Sequence, residues 1–253
     1  MICNPPSAPN PEVRKPAQWN REPLPHVKRI IAIASGKGGV GKSTTAVNLA
    51  HALIKQGKRV GILDADIYGP SIPNMLALSG RPIMEDGRMI PLQNYGIVCN
   101  SMGFITGDQA AILRGPMISK TLQQLLRLTR WGTTEEPLDY LLVDMPPGTG
   151  DVHLSMAQQV PLDGAIIVTP PQTIATIDAK KCAIMFQKVG VPVLGIVENM
   201  SGGGFGSGGG KQLADELAVP LLANIEIDSN ICSATDTGKR YLPDTYVELA
   251  KHL

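Results

Sequence analysis

At 253 residues the chain is long enough to bury a full core, and its length suits one or two domains. Its 23 Lys+Arg against 22 Asp+Glu give no global argument for nucleic acid or an anionic membrane as a partner. Four scattered cysteines (Cys3, Cys99, Cys182, Cys232) with no C-x-x-C argue against a disulfide framework, and no apolar run is long enough to span a bilayer. The N-terminus is Pro-rich rather than apolar or Arg/Ser-rich, unlike a signal or transit peptide. The chain is therefore read as cytoplasmic, with the mature form of a mitochondrial matrix protein as the alternative.

Residues 1–28 contain Pro5, Pro6, Pro9, Pro11, Pro16, Pro23 and Pro25, which preclude a helix and predict an extended arm, with Trp19 as a possible anchor. From 29 to 253 strands and helical patterns alternate. This predicts an α/β fold, a mostly parallel sheet with helices on both faces. The first strand, Ile30–Ala34, feeds Gly36-Lys37-Gly38-Gly39-Val40-Gly41-Lys42-Ser43-Thr44, and Ala46, Leu49, Ala50, Leu53 and Ile54 follow at helical spacing. Strand, glycine loop and helix in that order are the context a P-loop requires. The glycines allow backbone N–H groups to turn towards phosphate oxygens, and the helix N-terminus adds positive potential. Lys42 is expected on the β- and γ-phosphates of ATP and the Ser43 hydroxyl on Mg²⁺.

The second strand, Arg59–Leu63, runs into Asp64-Ala65-Asp66, carboxylates at the strand end that faces the ligand crevice of such sheets. Asp66 is the candidate to orient the attacking water, with Asp64 nearer the metal. Residues 81–105 read as a β excursion through Met89–Leu92 and Ile97–Met102, and Cys99 within it reads as core. Arg114 precedes an amphipathic helix carrying Leu122, Leu125 and Leu126, and a surface ion pair is its plain reading. Leu138–Asp144 is a buried strand ending on an acid, so Asp144 is the second carboxylate expected near Mg²⁺.

Met145-Pro146-Pro147-Gly148-Thr149-Gly150 is stiff in one half and mobile in the other, and the amides of Gly148 and Gly150 are candidates to sense a γ-phosphate. Asp151 reads as the N-cap of the next helix, and His153 as structural or exposed. A strand at Ala165–Thr169, a helix carrying Ile174, Ile177, Cys182, Phe186 and Val189, and a strand at Val193–Ser201 follow. Asn199 at the end of that strand is the candidate contact to the adenine edge, with ordinary turn chemistry as the plainer alternative.

The early lysine in G-K-G-G-V-G-K-S-T resembles the deviant Walker A of the ParA, MinD and nitrogenase-iron-protein class. In that class the residue matching Lys37 crosses a dimer interface to the partner's nucleotide, which implies an ATP-dependent homodimer. With D-A-D-I-Y-G-P-S-I-P, R-G-P-M, D-M-P-P-G-T-G-D-V-H-L-S and E-N-M-S in order, the chain from about 28 onwards resembles the Mrp/NBP35 family of iron–sulfur cluster carrier ATPases, leaning towards its NUBPL branch. The resemblance implies a SIMIBI-type three-layer P-loop ATPase that passes a [4Fe–4S] cluster to apo iron–sulfur acceptor proteins. By position it assigns phosphate binding to Gly36–Thr44, hydrolysis to Lys37, Lys42, Asp66 and Asp144, Mg²⁺ to Ser43, Asp66 and Asp144, and the base to Asn199.

One departure stands out. The family carries a C-x-x-C after E-N-M-S, whereas here Ser201 runs into Gly202-Gly203-Gly204-Phe205-Gly206-Ser207-Gly208-Gly209-Gly210. As written this is a bare Gly-rich linker, so no cluster ligand is named; omission from the sequence record, deletion and natural absence all stay open. Cys232 is a weak candidate. The rival functional readings are a MinD/ParA-like positioning switch, which the weakly basic C-terminus and balanced charge do not favour, and a dethiobiotin-synthetase-like metabolic enzyme. Neither a membrane nor a nucleic-acid partner is expected.

Overall fold

In the computed structural model, residues 21–67, 69–106 and 115–253 are described. The first twenty residues of the expected arm, with Cys3 and Trp19, lie outside the described residues, as does Arg114. The arm's end is pinned to the body: Arg127 donates to the carbonyls of Glu22 and Pro23, and Leu24 is buried.

β1 (Val27–Ala34) shows why the sheet is covered on both sides. Ile31 and Ile33 face one apolar layer while Ile30, Ala32 and Ala34 face the other, the period of two that alternates side chains across a strand. β7 (Leu138–Asp144) and β8 (Gly164–Thr169) repeat the pattern, with Leu142 and Ile166 on the first layer and Leu141 and Ile167 on the second. With β2 (Val60–Asp64), β5 (Leu92–Asn94), β6 (Ile97–Ser101), β9 (Val193–Ser201) and β10 (Leu221–Glu226), they form an eight-stranded sheet ordered β10-β9-β8-β1-β7-β2-β6-β5. Every pairing in it is parallel except β5 against β6. The α/β expectation holds.

On the first face lie α1 (Lys42–Lys55), α2 (Ile72–Met75), α8 (Ser229–Asp236) and α9 (Asp244–Ala250), where Leu49, Ile72, Ile231 and Leu249 join one core. On the second lie α4 (Gly115–Leu128), α5 (Asp151–Gln159), α6 (Thr173–Lys188) and α7 (Gly209–Leu217), contributing Leu122, Met156, Phe186 and Leu213. A short helix, α3 (Met102–Thr106), follows β6. Cys99 and Cys182 are buried, as expected.

Several local expectations are corrected. The β excursion breaks at Pro91 into β4 (Arg88–Ile90) and β5, because proline has no N–H to continue a ladder, and β4 pairs instead with β3 (Ile83–Glu85). α5 begins at Asp151, so its N-cap is Gly150 rather than the aspartate. The Gly-rich run after Ser201 is not a linker. Gly203–Phe205 make a 3-10 turn closed by Gly202 N–H donating to the Gly206 carbonyl at 2.6 Å, and Gly209 and Gly210 open α7. β10, α8 and α9 have no counterpart in the sequence reading.

Candidate functional site

β1, β2 and β7 all end at the same edge of the sheet, and their last residues set the site. Asp64 and Asp144 are register partners at the ends of neighbouring strands, and β1 leads directly into the glycine loop. Gly41, at the N-cap of α1, has φ +82° and a backbone so close to β9 that a Cβ would sit 2.1 Å from Asn199 Nδ2. At Gly36 a Cβ would lie 2.2 Å from the backbone of Asp178. The loop is thus wedged between β9 and α6, and only glycine fits at either contact.

At the start of α1 the side chains converge. Lys42 Nζ donates to Asp144 Oδ1 at 2.7 Å and lies 3.8 Å from Asp66 Oδ2. Ser43 Oγ donates to Asp144 Oδ2 at 2.6 Å. Lys42, Asp66 and Asp144 are all buried. Burial raises the Asp144 carboxyl above its ordinary range, with Lys42 pulling the other way. Four of the sequence-predicted residues are therefore together, one ammonium against two carboxylates and a hydroxyl, beside a cavity of about 320 Å³ lined by Lys37, Gly39, Lys42, Ser43, Asp66 and Pro147.

Asp64, expected nearer the metal, is turned away. Its carboxylate accepts from Ser101 Oγ at 3.0 Å and from the amides of Asp66 and Ile72 at 3.2 and 3.3 Å, behind the cluster. Burial, then the neighbouring Asp144, push it up to about 8. It braces the loop that presents Asp66. The half-exposed Lys37 side chain has no ion-pair partner among the described residues.

A second cavity of about 280 Å³ shares Gly41, Thr44 and Met75 with the first and continues between β9 and α8, past Asn199, Met200 and Thr235. Asn199 borders it, but its amide nitrogen donates to the Val40 carbonyl at 2.8 Å, so it also holds the glycine loop. Met200 has φ +58°, a left-handed conformation uncommon for a side chain of its size, at the cavity wall. Cys232 is exposed on the rim. The two cavities adjoin at Gly41, Thr44 and Met75, one against the glycine loop and the other between β9 and α8.

The described ParA-class family model, "NUBPL iron-transfer P-loop NTPase", matches residues 26–252. The chain belongs to this family. The iron–sulfur cluster carrier protein of Escherichia coli is 52% identical over 232 residues, covering 87% of this chain and 62% of that protein. The chain thus spans under two thirds of that relative's length. The mouse iron–sulfur cluster transfer protein NUBPL is 48% identical over 233 residues, covering 87% and 72%. Among solved structures, an Archaeoglobus fulgidus nucleotide-binding protein in complex with ADP superposes with TM-score 0.76 at 36% identity, covering 87% of this chain and 91% of that one. Pyrococcus furiosus MinD superposes at 0.68 with 24% identity, covering 88% and 97%, a likeness of fold alone.

Two residues of this NUBPL-family chain escaped the sequence reading. Ser101 supports Asp64 from β6, a contact between strands far apart in sequence. Glu198, wholly buried, accepts from Ser201 Oγ at 2.8 Å and from the amides of Gly208 and Gly210 at 2.9 and 2.6 Å, tying the Gly-rich turn to β9. Its position inside E-N-M-S was the available signal. Of the two readings offered for His153, structural or exposed, the structural one holds: its ring is buried against Phe186, ring centroids 5.9 Å apart.

Proposed function

We propose that the chain binds and hydrolyses ATP as a nucleotide-dependent homodimer and hands [4Fe–4S] clusters to apo iron–sulfur proteins. The observation that carries this reading is the convergence of Lys42, Ser43, Asp66 and Asp144 at the mouth of the glycine loop, in a chain about half identical to proteins named as iron–sulfur carriers.

The backbone of Gly36–Thr44 cradles the phosphates, and Lys42 exchanges Asp144 for phosphate oxygens. A hydroxyl and two carboxylates are the all-oxygen donor set a hard cation needs, so Ser43, Asp66 and Asp144 fit Mg²⁺. That ion, when bound, supplies charge compensation to the phosphate oxygens. Asp66 orients the water that attacks the γ-phosphorus as the bond to the β-phosphate oxygen breaks, giving ADP and phosphate. Asn199 lies beside the base. Lys37, with no ion-pair partner among the described residues, serves the nucleotide of the second copy.

The surface supports a second copy as well. Ile174 is 67% exposed and Ile177 48%, one turn apart on α6 beside the glycine loop, and Phe205 and Ile227 are exposed nearby. The positioning-switch alternative has less support, because α9 buries Tyr246, Leu249 and Ala250 instead of presenting a free amphipathic face, and no helix among the described residues is long and apolar enough to cross a membrane.

The cluster is cargo here. Among the described residues Cys232 is the one exposed thiol, and no group of three or more His, Cys, Asp or Glu side chains is arranged to hold a metal. The test is anaerobic reconstitution of the full chain with iron and sulfide, followed by Mg-ATP turnover and transfer to an apo-acceptor. Cluster absorbance, with transfer that depends on ATP, is expected; turnover without cluster uptake removes the carrier assignment and leaves the ATPase.

A further inference from the structure

His153 is the polar group in the wrong place. It lies two residues into α5, directly after the Met145–Gly150 loop, and is 1% exposed. Neither ring nitrogen reaches a hydrogen-bond partner. A neutral imidazole always carries one N–H, and a buried N–H without an acceptor is costly, so an apolar side chain of similar size would fill this space better. The ring stands edge-on to Phe186 of α6, which fixes its back, and the carbonyls of Gly150 and Pro146 are close enough to favour its protonated form against the burial that lowers it to about 4. The Gly150 carbonyl already accepts the backbone N–H of His153 at 3.1 Å. The Pro146 carbonyl is the acceptor that a small movement brings within reach.

That movement belongs to Thr149 and Gly150, which lead into α5 and so carry the ring relative to a fixed Pro146. Met145 and Pro146 are buried and anchored, Met145 N–H donating to the Ile33 carbonyl at 3.0 Å. Gly148, with φ +96°, donates its amide to the Ser35 carbonyl at 2.9 Å, and the exposed Thr149 and Gly150 after it can rearrange. We propose that His153 is a positioning residue for hydrolysis: when the Thr149–Gly150 half of the loop closes on the terminal phosphate, a ring N–H of His153 donates to the Pro146 carbonyl and holds the Gly150 amide in place. The buried orphan of the open loop becomes a satisfied donor in the closed one, and this biases the loop towards closure. The idea rests on the ATPase reading above, to which it adds one residue that touches neither nucleotide nor metal.

The experiment compares wild type, His153→Leu, His153→Gln and Phe186→Leu. Each is measured for ATP turnover, and for amide hydrogen exchange of the full chain with Mg²⁺ and either ADP or a non-hydrolysable ATP analogue. In wild type the analogue is expected to slow exchange across 145–152 relative to ADP. His153→Leu should lose that extra protection, keep protection of 36–44, and drop kcat at least ~10-fold with KM within about 3-fold. Glutamine, which restores a donor, should recover both readouts, and Phe186→Leu, which loosens packing only, should lose neither. The proposal is overturned by wild-type loop protection in His153→Leu, or by equal losses in the leucine and glutamine variants or in Phe186→Leu. Should His153→Leu fail to fold in thermal melts, His153→Met provides the apolar side chain. A wild type without turnover refutes the ATPase reading, and the exchange comparison then decides the role of His153 alone.

Discussion

Lys42 and Lys37 sit five residues apart on one loop, yet their surroundings differ. Lys42 is buried between Asp144 and Asp66, while the Lys37 side chain reaches no ion-pair partner among the described residues. Replacing Lys42 by alanine removes charge-assisted bonds to the phosphates and is expected to weaken nucleotide binding by ~100-fold in a fluorescence titration. Lys37→Ala should bind within a few-fold of wild type but hydrolyse slowly; equal affinity losses in the two variants would contradict a role for Lys37 across an interface. Histidine burial gives a second prediction. His51 and His153 are both held near 4 by burial, against 6.5 in the unfolded chain. Between those values the unfolded state binds the protons and the native state does not, so stability falls as pH drops from 6.5 towards 4. Asp64, protonated in the fold up to about 8 against 3.8 unfolded, acts in the opposite sense, its contribution fading as pH rises through that window. The comparison is therefore between wild type and the His51→Gln/His153→Gln double variant. Urea midpoints from pH 6.5 to 5 should show the variant losing less stability, by on the order of 2–3 kcal/mol.

At the level of elements, Glu198 decides the path of the chain after β9. Its buried carboxylate collects a hydroxyl and two amides at the start of α7, where the helix N-terminus also favours negative charge. Glu198→Ala strands those donors and is expected to cost about 2–4 kcal/mol in urea denaturation, with faster amide exchange across 202–210. Unchanged exchange there would mean the turn is held by its own backbone bonds. The same accounting explains why the Gly-rich run misled a sequence reading. Nine residues with seven glycines look like a flexible spacer, but Gly209 packs so tightly that a Cβ would fall 2.0 Å from the Pro171 carbonyl, and Gly210 lies against Glu198. Here glycine marks close backbone approach as well as conformational freedom.

For the whole molecule, the question is whether two copies share the site. The exposed isoleucines of α6 flank the mouth of the glycine loop, on the side where Gly36 meets the Asp178 backbone. An Ile174→Asp/Ile177→Asp variant is expected to stay monomeric with Mg-ATP in light scattering while binding nucleotide like wild type. A wild type whose mass does not change with ATP would set the homodimer aside. The strand–glycine loop–helix run at 30–55, the acids ending two buried strands and the α/β alternation were legible along the chain, because each depends on local periodicity and on residue types that tolerate few other conformations. What pairs across the sheet was not. That Asp64 turns to Ser101 while Asp144 takes Lys42 and Ser43, that Asn199 bonds the Val40 carbonyl, and that His153 lies buried behind the loop are all set by contacts between segments remote in sequence. The one-dimensional pattern determined which groups the protein owns, since composition and spacing are properties of the chain. Only the tertiary packing decided which of them are desolvated together, because burial and approach distance exist only once the layers close.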